Sequence, residues 1–221
     1  MKFIQKKGDS LAYVAVLPSD YNGDKPLNCL ILLHGYGSHM GDLASLGPSI
    51  NETDYIYICP NAPIQMDLGF GQKGYAWFPI GENRTSDDLH QAVEIVNATI
   101  EEALQQFPIN RDKVFIGGFS QGGMIAMHAG LSKPDTFKGA LILSSRIILE
   151  DELLSSTKGA SKIPVFMSHG TTDNVIPIWE GQHANDVLTK NGYSVEFHQY
   201  DMAHQIIDEN IRDVATWISQ I

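Results

Sequence analysis

The stretch Val114-Phe115-Ile116-Gly117-Gly118-Phe119-Ser120-Gln121-Gly122-Gly123-Met124 decides the fold. A short apolar run, 114–116, leads into a Gly-x-Ser-x-Gly pentapeptide, which opens a helical pattern reaching Leu131. A strand that turns sharply into a helix crowds the backbone two residues before and two after the centre of the turn. Glycine at 118 and 122 removes the Cβ at both places and tolerates strained angles. The central Ser120 then projects its hydroxyl at the positive end of the following helix. Other glycine loops do not fit. Gly117-Gly118-Phe119 lacks the spacing of a dinucleotide-binding fingerprint, and no phosphate-loop lysine follows.

Outward from this turn, strand-like runs fall near 11–17, 28–33, 55–59, 113–117, 138–143, 163–168 and 194–200. Helical patterns lie near 86–106, 121–132, 178–190 and 205–219. In the longest helix Leu89, Val93, Val96 and Ile100 recur at helical spacing, an inward core stripe, and Ser86-Asp87-Asp88 reads as its cap and acidic first turn. Alternation of strands and helices predicts a mostly parallel sheet covered on both faces. A chain of 221 residues can bury one sizeable core, so a single domain over 1–221 is expected.

Two further residues complete a chemical set. His169-Gly170-Thr171-Thr172-Asp173 follows the strand-like 163–168, and Asp201-Met202-Ala203-His204 follows 194–200. Ser120, Asp173 and His204 thus each stand just past a predicted strand end, and in a parallel sheet those ends share one edge. A serine is a poor nucleophile until a base takes its proton. His204 can take that proton near neutral pH and return it to a leaving group. Asp173 would fix the imidazole's tautomer and stabilise its cation. An oxyanion formed at Ser120 needs fixed donors. The backbone N–H of Gln121 and that of Tyr36, in His34-Gly35-Tyr36-Gly37 after the strand-like 29–33, are the candidates. Asp201 competes poorly as the acid because it lies only three residues before the base. His198 sits inside a strand, and His169 belongs to the turn of Asp173. His34 and His39 have no third ligand at metal spacing, so no metal and no cofactor are expected. The Gln121 side chain is readable either as a specificity element or as a bystander to its own N–H.

Residues 60–84 interrupt the pattern with Gly69, Gly71, Gly74 and Gly81 among Met66, Leu68, Phe70, Tyr75, Trp77 and Phe78. Long loops in compact domains are usually functional or disordered, and this aromatic density argues against disorder. One reading is a flap over the catalytic edge, with Phe70, Trp77 and Phe78, joined by Val175 and Met202, lining a substrate pocket. The other is a loop that packs its aromatics into an ordinary satellite core. Ser144-Ser145-Arg146-Ile147-Ile148 also stays open: it borders the site or merely connects.

Leu33-His34-Gly35-Tyr36-Gly37, Pro60-Asn61-Ala62-Pro63, Ala76-Trp77-Phe78, Gly118-Phe119-Ser120-Gln121-Gly122 and His169-Gly170-x-x-Asp173 stand in the order of a known family. From about Leu30 to His204 the chain resembles the small phospholipase/carboxylesterase family, which includes the acyl-protein thioesterases. The resemblance implies an α/β-hydrolase fold without a separate lid domain, with Ser120, Asp173 and His204 as a triad and the backbones of Tyr36 and Gln121 as oxyanion hole. It implies a carboxylesterase acting on short- to medium-chain esters with water as co-substrate, or a thioesterase or lysophospholipase using the same machinery. A catalytically idle hydrolase-fold binding protein is the reading of another class. Members of the family often form homodimers. The chain departs from the family pattern at Ser38, Pro79 and Ala203, the first two at positions expected to line the pocket.

Composition narrows the partners. Fifteen basic against 26 acidic residues leave a formal net charge of -11. That argues against nucleic acid and against tight adsorption to anionic membranes. No apolar run is long enough to span a bilayer, and Met1 to Asp9 carries no secretory signal pattern, so a cytoplasmic protein is expected. Cys29 and Cys59, each in an apolar strand-like run, read as buried free thiols.

Overall fold

The computed structural model describes residues 1–81 and 85–221; the last part of the 60–84 segment, 82–84, lies outside the described residues. In chain order the elements are β1 (Lys2–Lys7), β2 (Ala12–Leu17), β3 (Leu27–Leu33), α1 (Gly41–Ala44), α2 (Gly47–Ile50), β4 (Tyr55–Pro60), β5 (Ile64–Gly69) and β6 (Gln72–Ala76). They continue with α3 (Ser86–Gln106), β7 (Ile109–Phe119), α4 (Gln121–Leu131), β8 (Gly139–Leu143), α5 (Glu150–Ser156), β9 (Val165–Gly170), α6 (Ile178–Lys190), β10 (Val195–Tyr200) and α7 (Asp208–Gln220).

One sheet of eight strands runs β1-β2-β4-β3-β7-β8-β9-β10. The strands from β4 to β10 pair in parallel, and β1 and β2 close one edge antiparallel. Strands β4, β8 and β9 are buried along their whole length, which is why β4, β8 and the first half of β9, Val165 to Met167, read as continuous apolar runs rather than alternating ones. β1 is the reverse case. Its KFIQKK is almost wholly exposed and carries three lysines, a charged edge that discourages pairing with another chain.

Helices cover both faces. On one face α3, α4 and α6 pack with Ile31, Ile58, Ile116 and Ile142; on the other α1 and α7 pack with Leu30, Tyr57, Phe115 and Phe166. α7 presents Ile211, Val214, Trp217 and Ile218, and Trp217 meets the Phe115 ring edge-on at 6.2 Å. The inward stripe of α3 includes Leu89, Val96 and Ile100 as expected, while Val93 is half-buried. Its cap is Thr85 rather than Ser86. Thr85 Oγ accepts from the Asp88 N–H, and Asp88 Oδ2 accepts from the Thr85 N–H at 2.7 Å, a reciprocal box. Cys29 and Cys59 are free and buried on opposite faces of the sheet, and burial pushes both thiols up, Cys29 to about 12.

Much of the 60–84 segment, residues 64–76, is regular structure rather than an irregular loop. β5 and β6 form an antiparallel hairpin whose tip, Gly69-Phe70-Gly71, has positive φ at all three residues. Phe70 is fully exposed there and is not on the wall of the cavity beside Ser120. Trp77, at the hairpin's root, is 1 % exposed and belongs to the main core, which favours the packing reading over the pocket-wall reading for this residue.

Candidate active site

The turn at Ser120 has the strain its sequence implies. Ser120 sits at φ 54°, ψ −119°, between β7 and α4. A Cβ on Gly118 would come within 2.3 Å of the Gly122 carbonyl, and one on Gly122 within 2.0 Å of the Leu33 carbonyl oxygen. Both glycines are therefore required by close backbone approach, and the second lets α4 press against the end of β3. The Ser120 N–H donates to the Leu143 carbonyl at 2.9 Å, and Ser145 Oγ–H donates to the Ser120 carbonyl at 2.8 Å. The strained residue is thus held from both sides by the neighbouring strand β8 and the residues after it.

Loops after three strands bring the chemistry together. His204 Nε2 lies 2.9 Å from Ser120 Oγ, and His204 Nδ1 lies 2.7 Å from Asp173 Oδ2. Asp173 is buried, and its other oxygen, Oδ1, accepts from the N–H groups of Val175 and Ile176, both at 2.8 Å. That leaves Oδ2 aimed at the histidine. The Phe119 ring packs on the imidazole with centroids 4.7 Å apart. Of the competing groups, Asp201 is exposed and His198 pairs with Glu196 at 2.8 Å. His169 lies against Asp173, Nε2 3.5 Å from Oδ2, but its Nε2–H donates to the Ile176 carbonyl at 2.7 Å, bracing the turn that carries Asp173.

The N–H groups of Tyr36 and Gln121 have no acceptor among the described residues, and both residues line the same cavity as Ser120. The loop approaches closely: a Cβ on Gly35 would stand 3.5 Å from Ser120 Cβ. His34 braces that loop. Its Nδ1–H donates to the Gly35 carbonyl at 2.8 Å, and its Nε2 accepts from the Ala62 N–H at 3.1 Å, which fixes a neutral tautomer. Burial holds the His34 pKa below its ordinary value, only partly offset by the Gly35 bond and Asp42. The Trp77 Nε1–H donates to the His34 carbonyl at 2.8 Å. The Gln121 side chain completes the brace: Oε1 accepts from the Trp77 N–H at 2.9 Å and Nε2–H donates to the Phe78 carbonyl at 2.8 Å. Gln121 is therefore a strut between α4 and the hairpin root, a role neither sequence reading anticipated.

The cavity at Ser120 measures about 270 Å³. Phe78 and Val175 line it, together with Ile80, Met124, Arg146 and Ile176. Trp77 and Met202 do not. Trp77 faces the core, and Met202, 3 % exposed, contributes a backbone carbonyl to the Thr172 N–H. Ser38 and Pro79 are also off the wall; Ser38 Oγ–H bonds Asp42 Oδ2 at 2.6 Å. Arg146 is the charged member that sequence alone left open, and its signal was a lone cation just past the end of a buried strand. Among the described residues no group of three or more His, Cys, Asp or Glu is gathered as a metal site, and no helix is long and apolar enough to cross a membrane.

A parallel sheet with a strained serine turn at its carboxyl edge, followed in the chain by an acid and then a histidine, defines an α/β-hydrolase. The chain belongs to the phospholipase/carboxylesterase family, whose profile matches residues 20–221. It is 30% identical over 226 residues to acyl-protein thioesterase 1 of Mycosarcoma maydis, covering 90% of this chain and 93% of that one. Among solved structures it resembles esterase PE8, with a TM-score of 0.83 at 25% identity over 100% of both chains. It also resembles Arabidopsis thaliana SOBER1, with a TM-score of 0.76 at 25% identity, over 87% of this chain and 98% of that one. Family and relatives indicate a hydrolase of esters or thioesters.

Proposed function

We propose that this chain is a serine carboxylesterase that cleaves short- to medium-chain carboxylic esters through an acyl-enzyme on Ser120. The observation that carries the reading is the relay from Ser120 Oγ through His204 to Asp173, at 2.9 and 2.7 Å, on a strained turn. His204 Nε2 takes the hydroxyl proton as Ser120 Oγ attacks the ester carbonyl, then gives it to the departing alcohol. Asp173 keeps the Nδ1 proton in place and balances the imidazolium. The N–H groups of Tyr36 and Gln121 receive the oxyanion in the tetrahedral intermediate. Water then attacks the acyl-enzyme by the same route in reverse order of proton transfers. The cavity, about 270 Å³, lies at the small end for ligand sites, which favours short and medium acyl groups. Two buried free thiols suit a reducing compartment such as the cytoplasm.

A thioesterase reading is favoured by the relative named acyl-protein thioesterase 1, since the same attack cleaves a thioester. The test is hydrolysis of p-nitrophenyl esters from two to sixteen carbons by the wild type and Ser120→Ala. The expected result is a maximum at short to medium chains and a loss of at least about 10³-fold in kcat in the variant. A maximum at long chains moves the reading to a lysophospholipase or acyl-protein thioesterase. Absence of Ser120-dependent cleavage of both esters and thioesters, with no labelling by a fluorophosphonate, refutes the reading in favour of an idle binding fold.

A further inference from the structure

The segment after β8 does more than connect. Ser144 has φ 44°, a left-handed conformation unusual for serine, and its N–H donates to the Ser168 carbonyl at 2.8 Å. The next residue, Ser145, is bonded through Oγ to the Ser120 carbonyl at 2.8 Å. Its side chain packs so closely on α4 that a Cβ on Gly123 would come within 2.6 Å of Ser145 Cβ. These contacts tie the turn to the nucleophile's own backbone and set the following residue, Arg146, on the wall of the cavity that holds Ser120.

Phe78, Ile80, Met124 and Ile176, also on that wall, are apolar. One donor of the guanidinium is committed: Nη1–H to Glu180 Oε1 at 3.0 Å, the carboxylate coming from α6. Nε is buried and has no hydrogen-bond partner among the described residues. A guanidinium carries five N–H donors in a planar fork, so Glu180 takes only part of its capacity, and among substrate groups a carboxylate is the one its charge and donors fit best. The Arg146 side chain is 39% exposed, so solvent screens the attraction in part, and the apolar residues beside it reduce that screening on the cavity side. Glu180 balances the cation when the cavity is empty and orients its plane.

We propose that Arg146 is a specificity-determining residue, and that the half of the substrate lying in this cavity carries a carboxylate. The substrate class is then the half-ester or half-thioester of a dicarboxylic acid, or an ester of a carboxylate-bearing alcohol. The proposal rests on the reading of Ser120 as nucleophile. It goes beyond that reading by predicting selection for charge in a protein whose overall charge repels anions.

The test compares matched pairs differing by one terminal carboxylate: p-nitrophenyl hexanoate with mono-p-nitrophenyl adipate, and phenyl acetate with 3-carboxyphenyl acetate. The readout is the charged-to-neutral ratio of kcat/KM in wild type, Arg146→Met and Glu180→Gln. In at least one pair Arg146→Met lowers the ratio by about tenfold or more, and Glu180→Gln raises it. Which pair responds assigns the charged half to the acyl or the alcohol side. Free adipate binding, measured by calorimetry, falls in parallel in Arg146→Met. Ratios unchanged within about twofold in both pairs, or equal losses on charged and neutral esters, overturn the proposal and leave Arg146–Glu180 as a structural strut. Loss of all turnover in the wild type, with Arg146-dependent adipate binding retained, overturns the Ser120 reading instead.

Discussion

Replacing Trp77 separates a core brace from a pocket wall. The side chain is 1 % exposed within the main core, and Nε1–H donates to the His34 carbonyl at 2.8 Å. Truncating a buried Trp to Ala costs about 3–5 kcal/mol, and the lost bond to His34 adds about 1 kcal/mol. For a chain of this size each kcal/mol lowers Tm by about 2–4 °C, so Trp77→Ala should melt about 8–24 °C below the wild type. Trp77→Phe keeps most of the apolar ring and gives up the hydrogen bond, with an expected loss of about 1–2 kcal/mol. Activity should fall chiefly in kcat, because His34 braces the loop that carries the Tyr36 N–H, while preference among acyl chain lengths stays put. Calorimetry and a p-nitrophenyl ester series on the same preparations check both parts. If Trp77→Ala melts within about 2 °C of the wild type and shifts chain-length preference, the residue is a pocket wall and the argument from burial is wrong.

Two other perturbations follow from the same geometry. Asp173→Asn keeps a carbonyl oxygen for the Val175 and Ile176 N–H groups but disturbs the bond that holds the His204 tautomer, so kcat should fall about 10⁴-fold with Tm lowered by less than about 3 °C. A loss of only a few-fold in steady-state ester hydrolysis would count against Asp173 as the orienting acid. Stability should also fall in acid through His128, whose pKa burial holds below its ordinary 6.5, against the upward pulls of the Ile148 carbonyl and Glu152 and with the help of His90. Below about pH 6.5 the unfolded chain takes up a proton that the native state refuses, so this contribution is constant above that pH and is lost as pH falls toward the depressed native value. Urea unfolding at pH 7 and pH 5 should show a smaller pH dependence for His128→Gln than for the wild type; equal slopes refute the assignment.

The legible part of the chain is what the sheet's interior dictates. β3, β4, β8 and β9 announce themselves because burial on both faces demands mostly apolar residues, as in Cys29–Leu33 and Val165–Met167, and the Ser120 turn because backbone crowding demands glycine at 118 and 122. β1 was not legible. Phe3 and Ile4 are its only apolar side chains, and it exists by pairing with β2 in the register Lys2 with Leu17 through Lys7 with Ala12. The helices α1, α2 and α5, of four, four and seven residues, are too short for a periodic stripe. The β5–β6 hairpin was hidden by its glycines, which mark a loop locally, whereas here Gly69 and Gly71 form its tip and Gly74 sits within β6 opposite Met66. Phe70 and Trp77 illustrate the remaining gap. Sequence groups them as neighbouring aromatics of one flap; the hairpin carries one into solvent at its tip and the other into the core at its root.

The candidate site draws on five strands that are consecutive in the sheet, β3-β7-β8-β9-β10, each leading at its carboxyl end to part of it. β3 leads to Tyr36, β7 to Ser120, β8 to Ser145 and Arg146, β9 to Asp173, and β10 to His204. Because neighbours in the sheet are hydrogen-bonded, the spacing of these loops is fixed by ladders of backbone bonds rather than by the loops themselves. That leaves each loop free to differ in one side chain without disturbing the others. The loop after β8 shows how this works. Ser145 uses its hydroxyl to hold the Ser120 carbonyl, and the adjacent Arg146, proposed above to set substrate preference, lines the cavity without bonding to Ser120, His204 or Asp173.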